Sequence, residues 1–249
     1  GAAIAGMAIT MPIMNISAAF GAMVGVGAGA RISLRLGEGN KAAAERTLTN
    51  AILLNIVIGL SIMAVMLYFL DDILMIFSGG RASAETLQYA KEFMQIILLG
   101  NVITHLYLGM NDMIRSSGYP RKAMYIMLTT IALCTILNPL FIFVLGWGVR
   151  GSAWATVVAQ SVALAIQLHH YTSPKSFLRF RREAFHLDKA IVGAIISIGM
   201  APFLLNLCAS FVTRFMNTAL LEYGGTGEWD IISAATFDGN VGDIYVGAY

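Results

Sequence analysis

The sequence predicts an all-α integral membrane protein, a polytopic bundle of membrane-crossing helices. Of its 249 residues, 57% are hydrophobic and only 12% are charged, and the mean hydropathy is +0.73. A soluble domain typically has about 25% charged residues. Six apolar segments each exceed the ~20 residues that a helix needs to cross a ~30 Å hydrocarbon core. The strands of a membrane barrel would instead alternate strictly over ~10 residues, and the sequence has no such pattern.

Hydropathy places the six predicted spans at 3–30, 48–70, 92–114, 123–145, 151–172 and 190–221. In the first span, Gly21, Gly25 and Gly29 recur at every fourth residue. This spacing gives a face of small side chains on which a second helix can pack closely. Gly25, Gly27 and Ala30 also match part of a dinucleotide-binding fingerprint. That motif needs a preceding strand, so we expect no nucleotide site.

Uncharged polar residues lie at a similar depth in the third, fourth and fifth spans. Asn138 is seven residues from the outer end of its span, hence roughly 10 Å deep at 1.5 Å per residue. Thr156 is roughly 8 Å deep, and Gln160 and Asn101 are each roughly 14 Å deep. Cys134 lies one turn from Asn138 on the same face. These groups could hold a small cation or form a proton network; alternatively, they only join helices, at ~0.6 kcal/mol per hydrogen-bonded pair.

Three spans contain a proline within four residues of an asparagine, and we predict hinges at Pro12, Pro139 and Pro202. A proline inside a helix removes a backbone donor and bends the helix. Bent helices with amides and methionines predict an adaptable substrate cavity, although lipid-facing packing explains the 14 methionines equally well. The predicted lining of the substrate cavity is Met11, Asn15, Asn101, Met200, Pro202 and Asn206.

His105 and Arg214 are basic side chains well inside predicted spans. His105 is near the middle of the third span and could relay protons, but a packed neutral histidine is the simpler interpretation. Arg214 is about two turns from the outer end of the last span. It could extend to the membrane surface or face a cavity.

Lysine and arginine alternate between the two ends of the spans. Twelve of the 16 lie in the connections after the first, third and fifth spans. Basic loops face the cytoplasm, so we predict a multi-pass protein of the inner (plasma) membrane whose first span starts outside. The segment 176–190 combines a basic cluster with Phe177 and Phe180. It predicts an interfacial helix at the cytoplasmic surface, with a solvated loop as the alternative.

Enzyme and metal-site motifs are absent from the sequence. It has no HExxH, GxSxG or GxxxxGK[ST] pattern, and Cys134 and Cys208 form no CxxC pair. Asp71 and Asp72 are adjacent but lie at the end of a span, where we expect them to be solvated. The sequence therefore predicts no enzyme, no cofactor and no nucleic-acid partner. The lipid bilayer is the one partner that composition requires.

The segment 114–160 resembles the multidrug and toxic compound extrusion (MATE) family, nearest its MepA-like branch. It reads IRSSGYPRKAMYIMLTTIALCTILNPLFIFVLGWGVRGSAWATVVAQ. The resemblance is carried by R-x-x-G-x-P-x-x-A, then an Asn or Asp before P-x-F-I-F, then G-x-G-x-R-G. It extends over the segments 8–41 and 197–225.

The resemblance implies a transporter of two six-helix lobes, of which this chain has helices two to seven and the start of the eighth. The implied division is 1–175 for the N-terminal lobe without its first helix, 176–189 for a cytoplasmic linker, and 190–249 for the start of the C-terminal lobe. We therefore expect a partial chain of a protein that is monomeric at full length. The segment 224–243 is longer than the family's usual linker.

The resemblance also implies export of amphipathic cationic drugs by alternating access, coupled to inward movement of Na⁺ or H⁺. The family's first-lobe cation site falls on Cys134, Asn138 and Thr156, and the depth argument adds Gln160. Na⁺, where it is the coupling ion, is expected at Asn138 and Thr156. Cys134 replaces the family's amide, and Asn138 stands where this branch often has Asp. The carboxylate of the family's first helix would complete the site.

Two other functions are weaker on this sequence. A flippase for lipid-linked sugars, in the same superfamily, would need a more cationic cavity than spans with so few buried Arg and Lys provide. A membrane-embedded enzyme would need converging carboxylates or a metal cluster, which the spans do not contain.

Overall fold

The computed structural model describes residues 2–78, 82–173, 176–180 and 187–223. Helices form nearly all of this part of the chain. They are α1 (Ala2–Gly37), α2 (Lys41–Tyr68), α3 (Leu70–Phe77), α4 (Ala84–Leu99), α5 (Asn101–Ser116), α6 (Pro120–Pro139), a π-helical turn (Leu140–Val144), α7 (Gly148–Thr172) and α8 (Lys189–Tyr223). Five helices of the described residues are long and apolar enough to cross a membrane, and the bent pair α4–α5 makes a sixth span if it crosses as one. The predicted all-α membrane bundle is confirmed.

Helix starts follow local capping chemistry. The side-chain oxygen of Asn40 accepts a hydrogen bond from the backbone N–H of Ala43 at 3.0 Å, at the start of α2. The hydroxyl of Ser83 accepts from the N–H of Thr86 at 3.2 Å, at the start of α4. Pro120 occupies the first turn of α6, where its missing N–H costs no hydrogen bond. These residues fix where each span enters the bundle.

Two helices continue beyond the spans that hydropathy predicts. α1 ends at Gly37 and α2 begins at Lys41, so Arg31 and Arg35 lie on the last turns of a helix instead of in a loop. A helix satisfies its own backbone hydrogen bonds and can leave the membrane intact, whereas hydropathy detects only the apolar part. The connection between these two basic helix ends is therefore only three residues long.

The short helix α3 was not predicted. Its Leu70 and Leu74 are buried, whereas Asp71 and Asp72 in its first turn are exposed, as expected of the pair. The ammonium of Lys91 lies 2.6 Å from the carboxylate of Asp71, but both side chains are largely exposed. Such a pair stabilises a fold by at most ~1 kcal/mol. The burial of the two leucines is what holds α3 against the bundle.

The third predicted span is broken rather than continuous. α4 ends at Leu99, α5 starts at Asn101, and the two helices meet at 58°. At the break, a Cβ added to Gly100 would lie 2.6 Å from the side chain of Val157 on α7. The close approach of α7 therefore requires glycine at this point. The bend turns the start of α5 toward α1 and α7.

Pro139 marks a second break in regular α-helix. The other two predicted hinge prolines, Pro12 and Pro202, lie inside continuous helices. α6 ends at Pro139 and a π-helical turn follows, in which the N–H of Leu145 donates to the carbonyl of Leu140 at 3.0 Å. Proline removes one donor from the ladder and favours such a shift.

The glycine face of α1 packs on α5, as the four-residue spacing predicts. A Cβ added to Gly21 would lie 2.6 Å from the His105 ring, and one on Gly29 would lie 2.5 Å from the Ser116 hydroxyl. One on Gly25 would lie 2.9 Å from the backbone of α5. Only glycine, which has no Cβ, allows the two helices to approach this closely. α1 is therefore the central helix against which α5 is positioned.

The predicted interfacial helix at 176–190 is wrong for the part that the structure describes. Residues 176–180 and 187–188 are not helical, and α8 begins at Lys189. Leu178 is 1% exposed and lies in the core with Tyr171, whose ring contacts Phe180. Leu178 and Phe180 thus anchor this segment in the bundle, whereas Phe177 is 49% exposed. Residues 181–186 and the predicted loop and helix start after 223 lie outside the described residues.

Candidate functional site

A cavity of about 150 Å³ lies where α4 gives way to α5. Its polar lining comes from α1, α5 and α7, and α4 supplies apolar side chains. Irregular backbone at membrane depth is tolerated mainly where it lines such a cavity. The lining residues are Met14, Asn15, Ser17, Ala18, Met94, Ile97, Leu98, Asn101, Thr104, Thr156 and Gln160.

Hydrogen bonds between helices fix two of the amides in the cavity wall. The hydroxyl of Thr104 donates to the side-chain oxygen of Gln160 at 2.6 Å. The hydroxyl of Ser17 donates to the side-chain oxygen of Asn101 at 2.6 Å, and the Asn101 amide donates to the carbonyl of Gly59 at 3.1 Å. These bonds join α1, α2, α5 and α7 around the cavity.

Two further polar groups in the wall have hydrogen-bonding capacity that no described residue uses. The hydroxyl of Thr156 donates to the backbone carbonyl of Ser152 at 3.1 Å, so its oxygen lone pairs remain available. The Asn15 amide makes no side-chain hydrogen bond within the described part of the chain. None of the described lining residues is charged. Such neutral oxygens suit a hard cation or water.

The size of the cavity limits what it can hold. Its 150 Å³ is far above the ~15 Å³ that one buried water needs. It is below the ~300 Å³ at which pockets for drug-sized ligands begin. The cavity therefore fits a small hydrated cation or several waters and excludes a drug-sized molecule.

The structure gathers four of the predicted site residues and brings a fifth to their edge. Asn101, Thr156 and Gln160 line one cavity, together with Asn15. The Cys134 thiol lies close to Thr156 across the α6–α7 interface. The depth estimate alone was enough to predict that these groups share a level in the bundle.

Asn138 does not line this cavity. It is one turn beyond Cys134 on α6, and its side-chain oxygen is buried without a hydrogen-bond partner among the described residues. Helix periodicity gives its depth but not the direction in which α6 faces α7. A buried acceptor with no donor nevertheless points to water or a cation at this position.

The remaining predicted substrate residues do not reach the cavity. Met11 is 57% exposed and Met200 is 40% exposed. The Asn206 amide donates to the carbonyl of Pro202 at 2.8 Å, within its own helix. These residues do not line this cavity with Asn15 and Asn101, and their place in a substrate cavity stays a prediction. α8 pairs with the face of α1 that carries Gly27, not with the face that carries Asn15.

His105 is packed in the helix interface. It is 0% exposed, and its Nε2 lies 2.8 Å from the carbonyl of Ser17. Gly21 and Gly59 leave the space that its ring occupies, since a Cβ on Gly59 would lie 3.0 Å from Nδ1. This environment fits the simpler of the two interpretations.

Arg214 does not line the cavity and instead binds another helix. Its Nε and Nη2 both donate to the carbonyl of Ile76 at 3.2 Å, and the guanidinium lies 5.8 Å from the centre of the Phe77 ring. Ile76 is in the last turn of α3, where carbonyls carry partial negative charge. Arg214 therefore joins the outer part of α8 to α3.

Sequence reasoning missed the apolar half of the lining and the hydroxyls of Ser17 and Thr104. Apolar side chains such as Met94 and Ile97 carry no signal that separates a cavity wall from core packing. One signal was available: Gly100 and Asn101 are adjacent in the middle of an apolar span. Gly in a helix interior and an amide at that depth together indicate a break.

Comparison with known proteins places this architecture in a family. The family model described as MatE matches residues 1–140. The multidrug export protein MepA of Staphylococcus haemolyticus is 29% identical over 221 residues, covering 89% of this chain and 48% of that protein. MepA of Staphylococcus aureus strain NCTC 8325 is 26% identical over the same coverage. The chain spans about half the length of the curated relatives it matches.

Solved structures with the same fold cover nearly the whole chain. One is described as the inward-facing conformation of a multidrug resistance MATE family transporter of the MOP superfamily. It has a TM-score of 0.87 at 24% identity and covers 99% of this chain and 53% of that one. A second is a MOP superfamily transporter from Pyrococcus furiosus, with a TM-score of 0.80 at 25% identity, covering 93% of this chain and 51% of that one. Its description states that the reverse polarity of its binding pocket suggests a different function.

Proposed function

Because this chain belongs to the MATE family of membrane transporters and to its MepA-like part, we propose that it works in a cation-coupled antiporter. In this proposal, Na⁺ or H⁺ moves inward while an amphipathic cationic compound moves outward across the cytoplasmic membrane. The chain is part of a transporter family and not of an enzyme family.

The observation that carries the proposal is the uncharged cavity at the α4–α5 break, to which three helices contribute polar side chains. Asn15, Thr156 and Gln160 line a volume that fits a hydrated cation and not a drug. The Cys134 thiol lies close to Thr156 of the cavity wall, and the buried oxygen of Asn138 is one helical turn further along α6. Neutral oxygens alone hold Na⁺ weakly, so a carboxylate from another part of the protein would complete the site.

Coupling follows if cation and drug favour different conformations. A cation in the cavity draws together oxygens from α1, α5 and α7, and the wall of the cavity contains a broken helix that can adjust. A drug that binds better to the arrangement without the cation is then released outward when the cation enters. Neither ligand can shift the equilibrium by more than its own difference in affinity for the two states.

Thr156→Val is the sharpest test of the cation site. Valine keeps the shape of threonine and removes the oxygen. We expect the cation concentration for half-maximal efflux to rise about tenfold, because 1.4 kcal/mol of lost binding is a factor of ten. Dye efflux from vesicles with the full-length protein, under an imposed Na⁺ or pH gradient, measures it.

Thr129→Val is the matched control. Thr129 is exposed on α6, and its hydroxyl donates to the carbonyl of Tyr125 at 2.8 Å, as Thr156 does to its own helix. An unchanged cation dependence in both variants would remove Thr156 from the site. Efflux that needs no gradient at all would reject the antiporter itself.

The charge of the exported compound needs its own measurement, because the P. furiosus relative is described as having a pocket of reverse polarity. Efflux of a cationic and an anionic dye of similar size should be compared in the same vesicles. Preference for the cationic dye is expected. Preference for the anionic dye, or movement of lipid-linked sugars, would leave the cation site in place and change the substrate class.

A further inference from the structure

A second cavity, of about 370 Å³, opens between α6 and α7 at the basic end of the bundle. It shares no residue with the cavity at the α4–α5 break, and on α7 its lining residues come after those of that cavity. We call it the α6–α7 groove. Its described lining residues are Lys122, Tyr125, Ile126, Ile166, His169, His170, Ser173 and Ser176.

The polar end of the groove carries cationic and donor groups. The ammonium of Lys122 lies 3.5 Å from Nδ1 of His170 and 5.0 Å from the centre of the Tyr119 ring. An ammonium can only donate, so Nδ1 accepts and the ring hydrogen of His170 is on Nε2. Nε2 is buried and has no partner among the described residues. None of the described lining residues is acidic.

The position of the His170 ring is fixed by its neighbours. Its ring is edge-on to Tyr119 at 5.1 Å and tilted against Tyr171 at 5.2 Å between centres. Tyr171 is 1% exposed and belongs to the core. The polar end is therefore built on the core of the bundle and differs from a loose set of surface lysines.

The opposite end of the groove is apolar and faces outward from the bundle. Tyr125 is 61% exposed and Ile166 is 40% exposed. The exposed surface continues along both helices through Leu128 and Val162, which a bilayer would cover with hydrocarbon. A ligand of the groove must therefore combine an anionic head with an apolar tail.

We propose that the α6–α7 groove binds one anionic phospholipid. The head would lie against Lys122 and the two histidines, and an acyl chain would run along Ile166 toward the exposed apolar surface. Basic pockets between transmembrane helices recognise anionic lipid heads in this way. Free phosphate would leave the apolar end empty, and a cationic drug would be repelled by Lys122. The proposal does not depend on transport.

Lipid binding can be measured directly on the chain in detergent by native mass spectrometry. With equal phosphatidylglycerol and phosphatidylcholine present, we expect one tightly held phosphatidylglycerol, preferred at least fivefold. Lys122→Gln should abolish the preference. Arg121→Gln removes the same charge from the adjacent exposed residue, which does not line the groove, and should change the preference less than twofold.

Ile166→Trp is the second variant to be tested in the lipid-binding experiment. It fills the apolar end, keeps every charge, and should displace the lipid because the acyl chain loses its place. Equal binding of the two lipids by the unmodified chain would overturn the proposal. Equal losses in the Lys122 and Arg121 variants would show diffuse attraction in place of a site. Retention of the lipid by Ile166→Trp would show a head-group contact without the groove.

Discussion

At the scale of single residues, Asn55 on α2 is an amide with no visible partner. It is 1% exposed, and both its oxygen and its nitrogen lack a hydrogen bond within the described residues. A Cβ added to Gly109 of α5 would lie 2.5 Å from the Asn55 nitrogen, so only glycine there leaves room for the amide. A buried polar group without a partner costs about 1–3 kcal/mol.

Asn55→Leu is therefore predicted to raise the free energy of unfolding by about 1 kcal/mol, because leucine branches at the same carbon as asparagine and has no unmatched polar atoms. Thermal unfolding of the chain in detergent measures the change. Asn101→Leu is the matched control, since it removes a buried amide that makes two hydrogen bonds, and it should destabilise the chain. A loss of stability in the Asn55 variant would mean that ordered water satisfies this amide.

The sequence predicts how deep each candidate site residue lies, but not the direction in which its side chain points. Depth along a helix follows from residue counting, because every residue adds 1.5 Å. That is why Asn101, Thr156 and Gln160 were predicted at one level and line one cavity. The direction in which each helix faces depends on packing with several partners. Residue counting therefore could not show that Asn138 and Met200 do not line this cavity.

At the scale of elements, the crossing of α1 and α8 depends on two glycines. A Cβ added to Gly27 would lie 2.1 Å from the carbonyl oxygen of Ile195. One added to Gly199 would lie 2.0 Å from the carbonyl oxygen of Met23. The contacts are reciprocal and involve backbone on both sides, so no side-chain movement can relieve them. Each helix must keep glycine for the pair to approach.

Gly199→Ala is predicted to separate the two helices and lower the free energy of unfolding by about 3 kcal/mol, at the upper end for overpacking. Gly193→Ala on the same helix is the control, because a Cβ there would meet nothing within 4 Å. It should be neutral or stabilise the chain by up to ~1 kcal/mol through helix propensity. Thermal unfolding of both variants in detergent measures the two changes in stability. Equal stabilities would mean that α1 and α8 do not pack this closely.

The broken third span shows the limit of element prediction from hydropathy. A window of about 20 residues averages over the one-residue interruption at Gly100 and returns a single segment. Helix ends outside the membrane are missed for the opposite reason, because α2 begins at the polar residues after Asn40 where hydropathy is low. The number of spans is therefore predictable, and their internal geometry is not.

At the scale of the whole molecule, α8 is fastened to the helices before it at both ends. Near its start, the N–H of Asp188 donates to the side-chain oxygen of Asn50 on α2 at 2.8 Å. Near its other end, Arg214 binds the last turn of α3. The glycine crossing with α1 lies between these points. The helix that the family resemblance assigns to a second lobe thus packs along the first one.

The charges of the whole molecule predict its orientation, which is tested by labelling. The turn at Glu38 lies at the basic end, and Glu85 in the first turn of α4 lies at the other end. Both are exposed. In a chain with Cys134→Ala and Cys208→Ala, an impermeant maleimide should label Glu85→Cys in intact cells. It should label Glu38→Cys only after the membrane is opened.

The physical reason for this expectation is the alternation of basic connections, which sets orientation during insertion. It applies to short loops, and the loop at Glu38 is only three residues between helices. Labelling of Glu38→Cys from outside would show that the chain has the opposite orientation in the membrane. The α6–α7 groove would then face the outer leaflet, and the cavity at the α4–α5 break would lie nearer the cytoplasm. Efflux direction and lipid preference would have to be reassigned together.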